Sequence, residues 1–556
     1  MSDPAQLLVD HLDTWTGAIE RKNGSGRGNG GKISLHGIDT LRSLILNLAV
    51  RGKLVAQDPA DGDAGELLAS IRAARAEPQK PKPERSSQGP FALPRGWLWC
   101  RLSDVVDLEN GDRGKNYPNK STLVNEGVPF VNAGHLQNGL IDEERMTFIS
   151  RSHYERLSGG KFREGDILFC LRGSLGKSAI VRGIEEGAIA SSLVIIRNHG
   201  RFDNEYLRIF FDSPLSEVLI RKFDNGTAQP NLSSRSLGKF DFPLPPLAEQ
   251  KRIVAKVDEL MALVNALEAG TRDAMATHET LVRELLATLV NSQDADDLAV
   301  NWSRIEAHFD DLFTTEESID LLKQSVLQLA IRGMLVSQSE SAQPASKLLD
   351  SIESWRNKAI REKKIRPSRK PLAAVTKEDW PFSKPTGWVF SRLGELIYIK
   401  SGDGLTAANM REGDIPVYGG NGVNGYHDSS NTDRPTVVIG RVGYYCGSIH
   451  LTPTKAWVTD NAFKTEFDSD SINIDFLILL LTGTNLKENE NATAQPVISG
   501  SKIYPIIVGL PPICEQRRIV EKYNHIMQRC DELYEALHRS LNTSRRIADS
   551  VSILTS

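Results

Sequence analysis

The stretch RGSLGKS, Arg172 to Ser178, has the residue types of a phosphate-cradling loop. Such a loop needs glycine five positions before the glycine of its Gly-Lys-Ser end, so that bare backbone N–H groups converge on the anion. Leu171 stands there, which argues against nucleotide binding. Five cysteines (Cys100, Cys170, Cys446, Cys514, Cys530) are scattered without a C-x-x-C pair, and the eleven histidines form no H-E-x-x-H. They read as reduced thiols packed in cores, neither disulfides nor zinc ligands. What the chain does offer is hydrogen-bonding side chains on turn-forming sequence. VPFVNAGHLQNGLID from Val128 carries Asn132, His135, Gln137 and Asn138, and GDILFCLRGSLGKSAIV from Gly165 carries Arg172, Ser174 and Lys177. IPVYGGNGVNGYHD from Ile415 carries Tyr418, Asn421, Asn424 and Tyr426, and PTVVIGRVGYYCGSIHL from Pro435 carries Arg441, Tyr444 and Tyr445. Amides, guanidinium groups and hydroxyls of this kind hold ligands by hydrogen bonds.

These stretches sit in a frame that occurs twice, which is the dominant feature of the sequence. TAQPNLSSRSL from Thr227 returns as TAQPVISGSKI from Thr493, at a spacing of 266 that also carries Pro245-Pro246 onto Pro511-Pro512 and Glu249-Gln250 onto Glu515-Gln516. LILNLAVRGKLV from Leu44 matches SVLQLAIRGMLV from Ser325 at a spacing of 281, and PRGWLWCRLSDV from Pro94 matches PTGWVFSRLGEL from Pro385 at 291. The fall from 291 to 266 means that the second filling is shorter than the first. Each filling reads as short strands and Gly-punctuated hairpins, with one helix (NEYLRIFFDSPLSEVLIRKF or IDFLILLLTGTNLKE) before the TAQP loop. Basic, proline-punctuated connectors precede the fillings and carry Lys80, Lys82 and Arg85, then Arg361, Lys363, Lys364, Arg366, Arg369 and Lys370.

After each proline pair the apolar period changes to that of a helix. Ile253, Val257, Leu260, Val264 and Leu267 form a seam that returns as Ile519, Tyr523, Ile526, Cys530 and Leu533. Pro246 and Pro512 suit helix entry, and Glu249 and Glu515 favour the positive end of the helix dipole. The first helix is expected from Leu247 to Val290, with Gly270 a point of interruption. Two long helices, one per copy, would space two globular domains; a local helical hairpin inside each domain is the alternative.

Hydrophobic residues at 40%, charged residues at 25% and a net charge of −4 describe an ordinary folded protein, not a globally basic one. The longest apolar run, FLILLL from Phe476, is too short for a bilayer, and the N-terminus lacks signal-peptide features, so a cytoplasmic address without membrane contact is expected.

The order GTAQPNLS…PLPPLAEQKRIVAKVDEL from Gly226 to Leu260, repeated as ATAQPVIS…LPPICEQRRIVEKY from Ala492 to Tyr523, resembles the DNA-specificity subunit of type I restriction-modification systems. The resemblance covers most of the chain, apart from roughly residues 1–30 and 292–315. It implies an α/β fold: two mixed α/β target-recognition domains in pseudo-twofold tandem repeat, separated by long antiparallel coiled-coil-like helices. The expected segments are 1–94, an N-terminal helical region with a basic linker; 95–245, the first recognition domain; and 246–290, a central spacer helix. A connector repeating the N-terminal region follows at 291–384, then the second recognition domain at 385–511 and a C-terminal spacer helix at 512–556.

The resemblance further implies a subunit without catalytic residues, cofactor or metal of its own. Its partners would be double-stranded DNA, two methyltransferase subunits using S-adenosylmethionine, and restriction subunits using ATP and Mg. The chain contains no N-P-P-[FY] adenine-methyltransferase motif. On this footing the loop residues above become candidates for DNA contact, since amides suit adenine, cations suit guanine and hydroxyls suit phosphate. Asn231, Gln229 and Gln495 join them from the TAQP loops. Both copies share those loops, so Gln229 and Gln495 suit phosphate contact or the fastening of domain to helix. Asn beside Gly is also a common turn former, which is the competing reading for each such residue. Lys251, Arg252, Arg517 and Arg518 are candidates for facing a methyltransferase. The rival functions are a self-sufficient methyltransferase or nuclease, for which motifs are missing, and an interaction scaffold with no DNA role.

Overall fold

The computed structural model describes residues 10–22, 32–74, 89–198, 200–226, 230–338, 343–367, 371–489 and 497–555. It forms two compact units, Met1–Asp273 with Ser540–Ser556, and Ala274–Arg539. Each unit holds one copy of the frame around one mixed α/β domain.

In the first unit, helix α1 (His36–Val50) buries Ile38, Leu41, Ile45 and Leu48, the helical i, i+3, i+7 spacing of a core-facing stripe. It stops at Arg51-Gly52, where Gly52 adopts φ 67°. A Cβ there would lie 2.5 Å from Pro94 and 2.9 Å from Trp97, so two separate sequence landmarks are one contact. The domain that follows begins and ends on a single ladder, Leu98–Arg101 paired antiparallel with Asp241–Leu244. Between them lies a four-stranded antiparallel sheet in the order Ser178–Ile180, Ile167–Cys170, Leu193–Arg197, Asp107–Asn110. A five-stranded sheet accompanies it, in the order Lys161–Arg163, Glu186–Ile189, Val128–Val131, Thr147–Ile149, Leu123–Val124, with one parallel pair at its centre. RGSLGKS is the turn of the hairpin from Ile167–Cys170 to Ser178–Ile180, not the strand-to-helix junction a phosphate loop requires.

The single helix expected over NEYLRIFFDSPLSEVLIRKF is two, Asn204–Asp212 and Pro214–Phe223. Pro214 has no N–H to continue the first helix, and Ser213 ends one helix while its Oγ accepts the Ser216 N–H of the next.

Helix α2 (Leu247–Val290) runs for 44 residues, about 66 Å at 1.5 Å per residue. Gly270 does not interrupt it, and a Cβ there would meet nothing. In the second unit, α3 (Ala295–Glu306) and α4 (Glu316–Ile331) precede the second domain, and α5 (Ile513–Thr555) follows it. The α4 end repeats the α1 end: Gly333, at φ 74°, packs its Cα against Pro385 and Trp388. The second domain closes on Val389–Arg392 with Ile507–Leu510. It holds a four-stranded sheet (Ile397–Ser401, Ala462–Phe467, Val437–Gly440, Ile449–Leu451) and a three-stranded one (Gly422–His427, Ile415–Gly419, Trp457–Val458). The Gly- and Asn-rich stretch read as a turn is therefore a strand, Gly422–His427.

The repeated seams are buried. Ile253, Val257, Leu260 and Val264 are at most 2% exposed, and Arg42 of α1 donates to Asn265 and Glu268 of α2. In the second unit Cys530 of α5 joins Val282 and Leu286 of α2, Ile305 of α3, and Leu322 and Val326 of α4 in one cluster, with Tyr523, Ile526 and Leu533 packed at its edge. Each seam thus packs on the short helix of its own copy, so the helices are more than a two-strand zipper. Four cysteines are buried as expected; Cys514 is exposed. Among the described residues no helix is long and apolar enough to cross a membrane.

Candidate nucleic-acid interface

The Glu-Gln pair after each proline pair ties a domain to its long helix. Glu249 is 1% exposed, yet it accepts hydrogen bonds from the Trp97 indole (2.8 Å) and the Gln57 amide (2.6 Å). Glu515 accepts one from the Trp388 indole (2.8 Å). Burial pushes both carboxyls above the ordinary glutamate value, and the indole bonds work against that rise. The neighbouring glutamines are fully buried. Gln250 accepts from the Asp203 N–H and donates to the Pro245 carbonyl; Gln516 accepts from the Asn473 N–H and donates to the Pro511 and Ser471 carbonyls. Asp203 and Asn473 are the N-caps of Asn204–Asp212 and Ile474–Gly483, so each glutamine fastens a long helix to a helix of its domain. Gln229 and Gln495, with Lys80, Lys82, Arg85, Arg369 and Lys370, lie outside the described residues.

At one end of the first domain the loops converge. The ladder sets Cys170 opposite Leu193 and Val194 opposite Asn110, so residues 111–117, 171–177 and 190–192 all leave the same sheet edge. Pro230, Asn231 and Leu232 close onto it: Gly173 N–H donates to Pro230, Leu232 N–H to Leu171, and Arg172 Nε–H to Asn231 Oδ1 at 3.1 Å. Asp112, 7% exposed, accepts from the Ser158 N–H and hydroxyl and the Gly114 N–H, which hold its carboxyl below the usual aspartate value.

The second domain repeats this edge. Ile498 N–H donates to Arg441, Arg441 N–H to Asn461, and Asp403 N–H to Val458. The bridges Arg172–Asn231 and Val442–Val497 are equivalent, as are the bonds from Leu232 to Leu171 and from Ile498 to Arg441. Arg441 therefore corresponds to Leu171, one residue before the place of Arg172. Its guanidinium donates to Ser401 Oγ and Asp460 O and lies 5.4 Å from the Phe463 ring centroid.

Several candidates serve the turn that carries them. His135 is buried, its Nδ1 accepting the Asn132 N–H, and burial pushes its ring below the ordinary histidine value; Asn132 Oδ1 accepts the Gly134 N–H. Gln137 donates to Asp142, and Asn138 takes φ 51° in a tight turn whose Gly139 bridges Ala179. Exposed Ser174 and Lys177 do lie on that edge. In the second domain Asn421, Tyr444 and Tyr445 are exposed there, the two rings 5.1 Å apart with Lys487 Nζ 4.3 Å from the Tyr444 centroid. Asn424 and Tyr426 are exposed along the edge strand Gly422–His427, and the hydroxyl of half-buried Tyr418 donates to Leu451 O. Arg252 and Arg518 are engaged within their own units, with Asp61 and the Ser337 carbonyl, while Lys251 and Arg517 are exposed. The 111–117 loop escaped the sequence reading; its signal was the pair Asn110-Gly111-Asp112 and Ser401-Gly402-Asp403 at the 291 spacing.

Among the described residues no group of His, Cys, Asp and Glu is placed to hold a metal ion. The family described as type I restriction modification DNA specificity domain matches residues 94–275 and 385–543, one match per copy. The type I restriction enzyme EcoAI specificity subunit from Escherichia coli is 31% identical, over 98% of this chain and 98% of its own. The EcoEI specificity subunit from Escherichia coli is also 31% identical with the same coverage of both chains. A solved HsdS subunit from Thermoanaerobacter tengcongensis is 20% identical over 84% of this chain and 98% of that one, at a TM-score of 0.41. With both copies matched and two relatives similar from end to end, the chain belongs to the family of type I restriction-modification DNA specificity subunits, the DNA-recognising subunits of those systems.

Proposed function

We propose that each recognition domain, 95–245 and 385–511, reads one half of a bipartite, asymmetric DNA target. The observation that supports this is the converged loop edge, built by the same backbone bonds in both domains yet filled with different side chains. Arg172 stands where the second domain has Val442, so the two edges present different groups to the duplex. Two readers on one duplex dock in steps of a helical turn, about 34 Å, which leaves unread base pairs between the halves. In this reading α2 and α5, running antiparallel, set that gap and offer exposed faces, including Lys251 and Arg517, to two methyltransferase subunits. Those partners bring S-adenosylmethionine and flip the target adenine, which no residue of this chain does. Restriction subunits using ATP and Mg join through the complex.

The test is to express the chain with its methyltransferase partner in a host free of DNA methylation and map modified bases by single-molecule sequencing. A two-part motif with N6-methyladenine in each half, absent without this chain, is the expected result. A contiguous motif, or methylation that persists without the chain, refutes the proposal.

A further inference from the structure

The two loop edges share a backbone and differ in charge. In the first domain the edge carries Arg113 and Lys115 on the loop pinned by Asp112, and Arg172 and Lys177 on the hairpin turn. All four are exposed, and among the described residues none is ion-paired; the Arg172 guanidinium donates to the neutral Asn231 amide. The loop is held rather than floating: Tyr117 Oη accepts the Ser191 N–H, Asn116 donates to the Arg156 carbonyl, and a Cβ on Gly111 would lie 2.9 Å from the Ala190 carbonyl.

The equivalent places in the second domain are neutral. The 291 spacing puts Gly404 and Thr406 opposite Arg113 and Lys115. The bridges and the paired bonds from Cys170 to Lys177 and from Gly440 to Ser448 put Val442 and Ser448 opposite Arg172 and Lys177. The following loop holds Asp403, Glu412 and Asp414, and its one cation, Arg411, is paired with Asp428 at 2.8 Å. Exposed surface there is aromatic instead: Tyr444 and Tyr445 are 57% and 52% exposed, and Lys487 sits over the Tyr444 ring.

We infer that the first domain's loop edge is a phosphate clamp formed by Arg113, Lys115, Arg172 and Lys177, and that the second domain, neutral at those four places, holds its half of the duplex mainly through Tyr444 and Tyr445, with Lys487 against the Tyr444 ring. This rests on the reading of both edges as DNA-facing. Each phosphate neutralised by a lysine or arginine releases condensed counterions, so the affinity falls with salt in proportion to the number of such contacts. Contacts of a tyrosine hydroxyl or ring release none. Electrostatic attraction is therefore concentrated in one half of the target.

The test uses the full chain complexed with its methyltransferase partner, and two duplexes: one carrying the motif mapped by base-modification sequencing, the other its scrambled form. Affinity is measured across a salt series for wild type, Arg113→Ala with Lys115→Ala, and Tyr444→Ala with Tyr445→Ala. The cation variant is expected to reduce the slope of log affinity against log salt by about 2, at roughly 0.9 per phosphate, on both duplexes alike. The tyrosine variant is expected to lose affinity for the mapped motif with the wild-type slope. An unchanged slope in the cation variant, or an equal fall in the tyrosine variant, overturns the clamp while leaving the two-domain reading intact. A wild-type complex that binds both duplexes equally overturns that reading and the clamp together.

Discussion

Replacing Trp388 by phenylalanine removes one N–H from a buried carboxylate, and the structure makes its cost unequal to that of the same change at Trp97. Among the described residues Trp388 is the only side-chain donor to Glu515. Hydrogen bonds to charged groups contribute about 1.5 to 3 kcal/mol, and a buried acceptor left unpaired costs its full desolvation. Glu249 keeps a donor when Trp97 is changed, because Gln57 Nε2 stays 2.6 Å from its other oxygen. The counterpart of Gln57 at the 281 spacing is Gln338, whose Oε1 accepts the Thr386 N–H instead. Both changes also lose part of a buried ring, about 1 kcal/mol each. Trp388→Phe is therefore expected to cost about 4 kcal/mol and Trp97→Phe about 2.5 kcal/mol, a difference close to tenfold in an equilibrium constant. Amide hydrogen exchange by mass spectrometry reads the two sites separately, at the closing ladders Leu98–Arg101 with Asp241–Leu244 and Val389–Arg392 with Ile507–Leu510. Equal losses of protection at the two ladders would refute the assignment of Gln57 as a second donor, and a loss below about 1 kcal/mol for Trp388→Phe would refute the bond itself.

Titration of Glu515 gives a second expectation. Its folded-state value lies above the ordinary 4.5, so its contribution is fully present below 4.5 and is lost as pH rises through the folded value. Glu515→Gln keeps an acceptor for the indole and is expected to flatten that loss, read as the urea midpoint across acid to neutral pH; an unchanged profile counts against it. Two glycines separate close approach from helix propensity. A Cβ on Gly402 would lie 2.2 Å from the Val458 carbonyl oxygen and 2.4 Å from that of Thr459, so Gly402→Ala is expected to cost about 3 kcal/mol or more. Gly270→Ala, with open space around it in α2, is expected to gain about 1 kcal/mol, and thermal unfolding of the two variants checks both signs.

The duplicated landmarks were legible in the sequence because they touch one another. Gly52 is glycine because Pro94 and Trp97 press on it, and Trp97 reaches Glu249; the same chain of contacts runs from Gly333 through Trp388 to Glu515. A residue wedged in this way has few alternatives, so both copies read alike. The seams were legible for the same reason, although their partners, α1 and α4, were not evident from the period alone. The reading groups were harder to see. Asn132 and His135 have the composition of a contact surface, but an amide next to glycine satisfies its own turn as readily as a ligand, and only the hydrogen bonds decide. Arg441 lies one residue before the place of Arg172, a register that the bridges Arg172–Asn231 and Val442–Val497 fix and that residue type alone does not reveal.

This division of the sequence follows from what each position costs to change. Glu249, Gln250, Glu515 and Gln516 are buried polar groups, and removing a partner from any of them leaves an unpaired group in the interior. Their partners lie in the domain, at Trp97, Asp203, Trp388 and Asn473, so a domain must retain those sites whatever else it alters. Arg113, Lys115, Tyr444 and Tyr445 are exposed, and substitutions at such positions alter stability little. A frame fixed by buried bonds, with exposed side chains at its edge that take no part in them, lets one scaffold carry two different recognition surfaces. Similarity between the copies is therefore greatest where the backbone is fastened, the segments that bond to the edge included, and it fades at the exposed side chains where the copies differ in charge.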